Sequence, residues 1–283
     1  MKLNTKTKNR LELIGIYTVF AIMAVIIAYP LLWAVGMSLN PGRSMFSASM
    51  IPENWSLEHY RWLFFDDPRG RYVTWYKNSL IVAGFTSFFS VIVATFTAYA
   101  FSRYKFVGRK NGIFILLVLQ MFPILMAMVA LYLLLSLVGL LNSLTGLIII
   151  YVGASVPMMT FLVKGYFDTI PKELDEAAKI DGAGHFRIFA QIILPLTKPI
   201  LAVVALFQFM TPFMDFLLPR IVLRSEDKFT LALGLFNFVS NEFDNNFTRF
   251  AAGAILVAIP IALVFLFLQR YLISGLTAGG TKG

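Results

Sequence analysis

Long, uncharged hydrophobic runs alternate with short polar segments along the whole chain. Each run is close to or above the roughly 20 residues that a helix needs to cross a bilayer. The runs lie at about residues 13–39, 79–102, 112–137, 144–163, 196–218 and 249–269. This pattern predicts an all-α membrane protein with six transmembrane helices in one domain, residues 1–283, and with both termini on one side. Prolines inside the runs predict helix kinks at Pro123, Pro157, Pro212 and Pro260.

Composition agrees with this pattern. Hydrophobic residues make up 58% of the chain and charged residues only 14%, whereas soluble domains carry about a quarter charged residues. The run at 79–102 is rich in Ser, Thr, Ala and Gly, which predicts close packing against other helices. The first run is longer than the core of a signal peptide, so we expect an uncleaved membrane helix. The chain has no cysteine, which excludes disulfides and thiolate chemistry.

The distribution of lysine and arginine predicts the orientation in the membrane. Fifteen of the 24 basic residues lie in the segments 1–10, 103–111, 164–198 and 270–283. The other basic residues share their segments with most of the acidic ones. The positive-inside rule therefore places both termini and the loop 168–195 in the cytoplasm. The same distribution removes support for nucleic-acid binding, which the net charge of +9 alone could suggest.

The loop 168–195 has the pattern of a structured element. Pro171 suits the first turn of a helix, and Gly182 suits a left-handed stop after its last turn. We therefore expect a short helix at about 171–181 and a second one that begins near His185. On the first helix Leu174, Ala177 and Ala178 share one face by their spacing. Asp175 and Lys179 are four residues apart and could form an ion pair beside that face.

The loop also carries a motif. Glu176-Ala177-Ala178 is followed after three residues by Gly182, and nine residues later by Ile-Ile-Leu-Pro, which ends at Pro195. This spacing resembles the EAA loop of the membrane subunits of bacterial ATP-binding cassette importers. In that family the loop is a coupling helix that seats in a groove of the ATPase subunit. The resemblance implies ATPase contacts by Leu174, Glu176, Ala177, Ala178, Asp181, Gly182 and Pro195. An ordinary amphipathic loop helix with a glycine cap is the alternative.

The C-terminal residues 275–283 carry a second resemblance. Together with the chain length and the predicted spans, they are similar to the smaller permease subunit of maltose and maltodextrin importers. In that family the tail reaches into the interface between the two ATPases, which implies contacts by Thr277, Gly279, Gly280 and Lys282. A flexible glycine-rich end is the alternative. The outer segment 219–247 corresponds to the region where such subunits meet the sugar-binding protein.

Motifs for catalysis or cofactor binding are missing from the sequence. The nearest approach to a phosphate-binding loop runs from Gly275 to Gly280 but continues with Thr281 instead of lysine. His59 and His185 are isolated in the sequence, so we expect no metal site. We also expect no catalytic residue and no cofactor in this chain, with ATP and Mg²⁺ on partner ATPases. The uncharged cores of the runs offer no ionisable relay for proton-driven transport.

Polar residues inside the runs are the candidates for a translocation path. Gln120, Gln208 and Thr211 could hydrogen-bond a polar solute near the middle of the bilayer, together with Ser155. Asp215 lies nearer the outer end of the fifth run. For any one of these residues, a hydrogen bond between helices is the favoured alternative.

These observations predict the permease subunit of an ATP-driven carbohydrate importer, for maltodextrin-like oligosaccharides, in the bacterial cytoplasmic membrane. The expected partners are a second, non-identical permease, two ATPase subunits, an extracytoplasmic sugar-binding protein and the lipid bilayer. Two alternatives stay open. A related importer for amino acids or peptides would keep the Glu-Ala-Ala loop, and a secondary transporter would need an ion-coupling residue inside a span.

Overall fold

The computed structural model describes residues 5–43, 50–240 and 245–280, and these residues form helices and connecting turns without a strand. The helices are α1 (Thr5–Ser38), α2 (Glu58–Arg61), α3 (Arg71–Arg103), α4 (Arg109–Gln120), α5 (Ile124–Leu137), α6 (Leu144–Asp168), α7 (Glu173–Ile180), α8 (His185–Ile188), α9 (Leu194–Leu196), α10 (Lys198–Met214), α11 (Leu217–Val222), α12 (Leu231–Phe236) and α13 (Phe247–Gly280). Short π-helical turns follow α2 at Trp62–Asp66 and α8 at Phe189–Ile193.

Four helices in the described residues are long and apolar enough to cross a bilayer on their own. They correspond to α1, α3, α6 and α13. A fifth span is available if His185–Leu196 and Lys198–Met214 are counted together, although these two segments meet at a bend of 75°. The predicted six spans therefore stay a prediction, because the third predicted run is divided between two shorter helices.

The division of the third run occurs at Pro123. The predicted kink is a full break there, since α4 ends at Gln120 and α5 begins at Ile124. Pro123 has an extended backbone (φ −63°, ψ 122°) and has no N–H to continue the helical ladder. The other three prolines, Pro157, Pro212 and Pro260, lie inside continuous helices.

The chain divides into two compact units, the first formed by Met1–Gly70 and Leu235–Leu256. In this unit α1 exposes its apolar side chains along its length. The segment after α1 is held by polar contacts: His59 Nε2 lies 3.0 Å from the Asn40 carbonyl oxygen, and the Thr248 hydroxyl donates to the Gly42 carbonyl at 2.5 Å. These contacts hold together parts of the unit that are distant in sequence.

The second unit, Arg71–Gly234 with Val257–Gly283, is built around α3, which packs on α6 and α10. Small residues make this packing close. The Ser90 and Ser155 hydroxyls lie 2.9 Å apart between α3 and α6, and the Ser87 hydroxyl donates to the Ala205 carbonyl on α10 at 2.8 Å. The prediction that the run 79–102 packs against other helices is confirmed.

Side chains in the first turns of α3 hydrogen-bond to the segment that precedes α12. The Trp75 indole N–H donates to the Glu226 carbonyl at 2.8 Å, and the Asn78 amide donates to the Phe229 carbonyl at 3.0 Å. Gly234 lies against the Trp75 ring so closely that a β-carbon there would be 2.1 Å from a ring atom. This part of the predicted outer segment is therefore joined to α3 by two hydrogen bonds and a close ring contact.

Candidate functional site

Helix α7 forms where the sequence predicts it and ends in a capped turn. Gly182 has a left-handed backbone (φ +79°), which residues with a β-carbon rarely adopt. The Gly182 N–H donates to the Lys179 carbonyl at 3.0 Å, and the Ala183 N–H donates to the Ala178 carbonyl at 2.9 Å. These two bonds are the Schellman pattern of a helix C-terminus. The chain then enters α8 at His185, so both predicted short helices are present, although Pro171 lies before the N-cap residue Lys172 and not in the first turn of α7.

The structure corrects the face that α7 was predicted to present. Ala178 is only 9% exposed and packs in a core cluster with side chains of α3, α6, α8 and α10. Leu174 and Ala177 are exposed, and Ile180 is 87% exposed. We call Leu174, Ala177 and Ile180 the α7 patch. Ala178 is excluded from it because α7 lies on the bundle and one side of a helix that rests on a surface must be buried.

The predicted ion pair of Asp175 with Lys179 is wrong. The Asp175 Oδ2 atom lies 2.6 Å from Nε of Arg103, the last residue of α3, and their side chains are only 11% and 7% exposed. Asp175 shares the inner side of α7 with Ala178, three residues later, while Lys179 points to the exposed side. Arg103 also donates to the Ile170 carbonyl at 3.0 Å, just before α7.

The remaining loop residues predicted to contact a partner are accessible. Glu176, Asp181, Gly182 and Pro195 are all exposed in this chain. The tail residues Thr277, Gly279 and Gly280 lie at the end of α13, where the structure describes the backbone but not the side chains. Lys282 lies outside the described residues.

A cavity of about 780 Å³ opens between α5, α6, α10 and α11. It brings together all the polar residues that the sequence proposed for a translocation path and adds one, Tyr151. Five methionines supply much of its apolar lining. The polar lining residues are Gln120, Tyr151, Ser155, Gln208, Thr211 and Asp215, and the methionines are Met128, Met158, Met159, Met210 and Met214.

Some polar residues of the cavity already make hydrogen bonds within the chain, and others do not. Ser155 bonds to Ser90 on α3, and the Thr211 hydroxyl donates to the Phe207 carbonyl of its own helix at 3.0 Å. Asp215 accepts from the Tyr151 hydroxyl at 3.0 Å and from the first N–H groups of α11. Gln208 is 6% exposed and has no hydrogen-bond partner among the described residues. Gln120 likewise has no hydrogen-bond partner among the described residues, so the amides of both glutamines stay available for a ligand.

Neither histidine is among the described residues that line this cavity. His59 is buried beside Asn40, and the His185 ring lies 5.5 Å from the Tyr104 ring. Within the described residues no group of three His, Asp or Glu side chains could hold a metal ion. Burial lowers the pKa of His59 below its ordinary value and the nearby charge of Arg249 acts in the same direction, which outweighs the contrary effects of Asn40 and Glu58.

The fold and the site define an α-helical, multi-pass membrane protein with a capped loop helix on its surface and a polar cavity between its helices. A family model described as "Binding-protein-dependent transport system inner membrane component" matches residues 90–277. The chain belongs to this family, which confirms the resemblance inferred from the Glu-Ala-Ala loop and places the chain in the inner membrane.

Known relatives match the chain from end to end. It is 49% identical to the galactooligosaccharides transport system permease protein GanQ of Bacillus subtilis (strain 168), over all of both chains. It is 45% identical to the maltodextrin transport system permease protein MdxG of the same organism, over 99% of this chain and all of that protein. Among solved structures, a bacterial ABC transporter involved in the import of the acidic polysaccharide alginate matches with a TM-score of 0.77 and 24% identity. That match covers 96% of this chain and 99% of the other and supports the fold.

Proposed function

We propose that this chain is a permease subunit of an ATP-driven importer for neutral oligosaccharides of the maltodextrin or galactooligosaccharide type. The full-length similarity to two saccharide permeases carries this proposal. The chain would form half of a translocation path with a second, non-identical permease. Two ATPases would bind ATP and Mg²⁺, and an extracytoplasmic sugar-binding protein would deliver the substrate. This chain itself catalyses no covalent step.

The proposed topology has six spans and cytoplasmic termini. The spans are α1, α3, the broken pair α4 and α5, α6, α10 and α13. The excess of lysine and arginine in the segments assigned to the cytoplasm supports it. The break at Pro123 is compatible with a span because non-helical backbone is tolerated in a membrane where other helices or a water-filled cavity satisfy it. The cavity described above includes Gln120 and Ile124, which flank this break.

The loop 168–195 would be the contact with the ATPase. In this proposal the α7 patch, with Glu176, Asp181, Gly182 and Pro195 around it, meets the ATPase groove. The inner side of α7 supplies the connection to the bundle, through the Asp175 carboxylate on Arg103 and through Ala178 in the core cluster. A movement of α7 with the ATPase would therefore be transmitted to α3 through these two buried contacts. The tail residues Thr277, Gly279, Gly280 and Lys282 would add a second contact.

The cavity would be this chain's share of the substrate path. The described residues of its lining include no lysine, arginine or histidine, and the carboxylate among them, on Asp215, already accepts bonds from Tyr151 and α11. A zwitterionic amino acid or peptide would lack a cationic partner for its carboxylate here. A neutral sugar needs only hydrogen bonds, which Gln208 and Gln120 can supply, and the methionine side chains can adapt to a sugar face.

Uptake measurements test this proposal. Deleting this chain should abolish uptake of labelled maltodextrins or galactooligosaccharides and leave amino-acid uptake unchanged. Gln208→Leu, of similar size but without hydrogen-bonding groups, should reduce sugar transport, while the importer still assembles with its ATPases. Loss of amino-acid or peptide uptake with unchanged uptake of a panel of oligosaccharides would overturn the assignment of the substrate class.

A further inference from the structure

A hollow lined by four basic residues lies where α3, α4 and α6 come together at the same end as α7. It has a volume of about 540 Å³, and its cations are Lys105, Arg109, Lys110 and Lys164. No acidic residue is among the described residues that line it. Neither the substrate cavity nor the α7 contact proposed above includes the residues of this hollow.

The positive charge of the hollow is largely uncompensated, and one of its cations, Arg109, is held in place. The Arg109 guanidinium donates to the Phe101 carbonyl at 2.8 Å and to the Ser102 carbonyl at 2.9 Å, so it is held against the end of α3. Lys164 is paired with Asp168. Lys105 and Lys110 are exposed and have no acidic partner among the described residues. The N-terminal end of α4 begins at Arg109 and adds its positive partial charge.

Exposed apolar side chains beside the hollow favour a lipid over a soluble anion as its ligand. Phe106 and Val107 are exposed in the turn that leads into α4. Along α4, Phe114, Ile115 and Leu119 are exposed as well, so this helix offers an apolar surface next to the basic residues. A phosphate group with attached acyl chains fits both features, whereas a free phosphate would use only the cations.

We propose that this hollow binds the phosphate headgroup of an anionic membrane lipid, whose acyl chains lie along α4. Lys105 and Lys110 contact the phosphate directly, and Arg109 supplies a cation that does not have to be ordered on binding. The proposal requires only that α3 and α4 lie in the membrane, and it does not depend on the transported substrate.

The assembled importer, reconstituted in phosphatidylcholine nanodiscs that contain a minor fraction of phosphatidylglycerol, provides the test. Native mass spectrometry measures how much phosphatidylglycerol remains bound. Lys105→Gln with Lys110→Gln should weaken retention roughly 10- to 30-fold, because each basic residue near a lipid surface contributes on the order of a factor of 5. Lys105→Arg with Lys110→Arg keeps both charges and should retain the lipid.

The matched control is Arg10→Gln with Lys198→Gln. It removes two exposed cations from the segments assigned to the cytoplasm, outside the hollow. Equal loss of phosphatidylglycerol in this control would show that any exposed cation attracts the anionic lipid to the same extent. That result would overturn the proposal. Displacement of the lipid by inorganic phosphate, or phosphate binding of equal strength in pure phosphatidylcholine, would assign the hollow to a soluble anion and overturn it as well.

Discussion

Replacing Asp175 by leucine should release α7 from the helix bundle. The substitution removes the carboxylate that lies 2.6 Å from Arg103 and leaves a guanidinium that is 7% exposed without a contacting carboxylate, with the more distant charge of Asp168 as its remaining counter-charge. Breaking a buried ion pair by removing one partner costs about 3–5 kcal/mol. We expect about 3 kcal/mol, the lower end, because Arg103 keeps its bond to the Ile170 carbonyl.

Hydrogen exchange measures this release in the purified importer without nucleotide. A loss of about 3 kcal/mol raises the population of the opened loop roughly 100-fold. The amides of residues 177–183 should therefore exchange about 100 times faster in Asp175→Leu. Glu173→Leu removes an acid from the exposed side of the same helix and should cost less than about 1 kcal/mol. Transport per ATP hydrolysed should fall only in Asp175→Leu.

The double substitution Arg103→Met with Asp175→Leu separates this account from a general loss of packing. It removes both charges, and replacing a buried pair by apolar residues is often neutral or stabilising. Exchange in the loop should return to within about tenfold of the native rate. The account is refuted if Asp175→Leu exchanges as slowly as Glu173→Leu, or if the double variant exchanges as fast as the single one.

Three further predictions concern single positions. Gly234→Ala would place a β-carbon 2.1 Å from the Trp75 ring and should lower the free energy of unfolding by about 1–3 kcal/mol, measured as a lower melting temperature. Gly153→Ala places its β-carbon in open space and should leave the melting temperature unchanged. Gly182→Val should cost about 1–2 kcal/mol at the α7 cap, because its backbone is left-handed, and should show as faster exchange in the loop. The lowered pKa of His59 means that the unfolded chain binds a proton more readily than the folded one. The contribution of His59 to the free energy of unfolding should be fully present above the ordinary histidine pKa and be lost as the pH falls through the lower pKa of the folded state. Melting temperatures measured across this pH range should show the loss in the native chain and not in His59→Gln.

Local signals in the sequence were sufficient for the helices of the loop. The glycine after the last turn bounds α7 as predicted, because it acts through its own backbone, whereas Pro171 marks the start of α7 from a position before its first turn and not within it. The small residues of the run 79–102 likewise predicted the close packing of α3. Such features depend on neighbours within a few positions and can be predicted without knowing the rest of the fold.

Contacts between distant residues could not be predicted in the same way. Asp175 has basic neighbours at helical spacing on both sides, Lys172 and Lys179, and a further one, Arg103, that only the fold brings near. Burial decides between them, and burial follows from how α7 rests on the bundle. Tyr151 was missed for the same reason, since only the packing of α6 against α10 and α11 shows that its hydroxyl reaches Asp215 in the cavity.

Disulfide cross-linking between α7 and the ATPase tests the central claim most directly. The native chain has no cysteine, so each introduced cysteine reports alone. Ala177 is exposed on the α7 patch, while its neighbour Ala178 is 9% exposed and faces the core. Ala177→Cys should cross-link to a cysteine in the ATPase groove in the nucleotide-bound importer, and Ala178→Cys should not. Free labelling of Ala177→Cys by a water-soluble thiol reagent in that complex, without any cross-link, would contradict the coupling role.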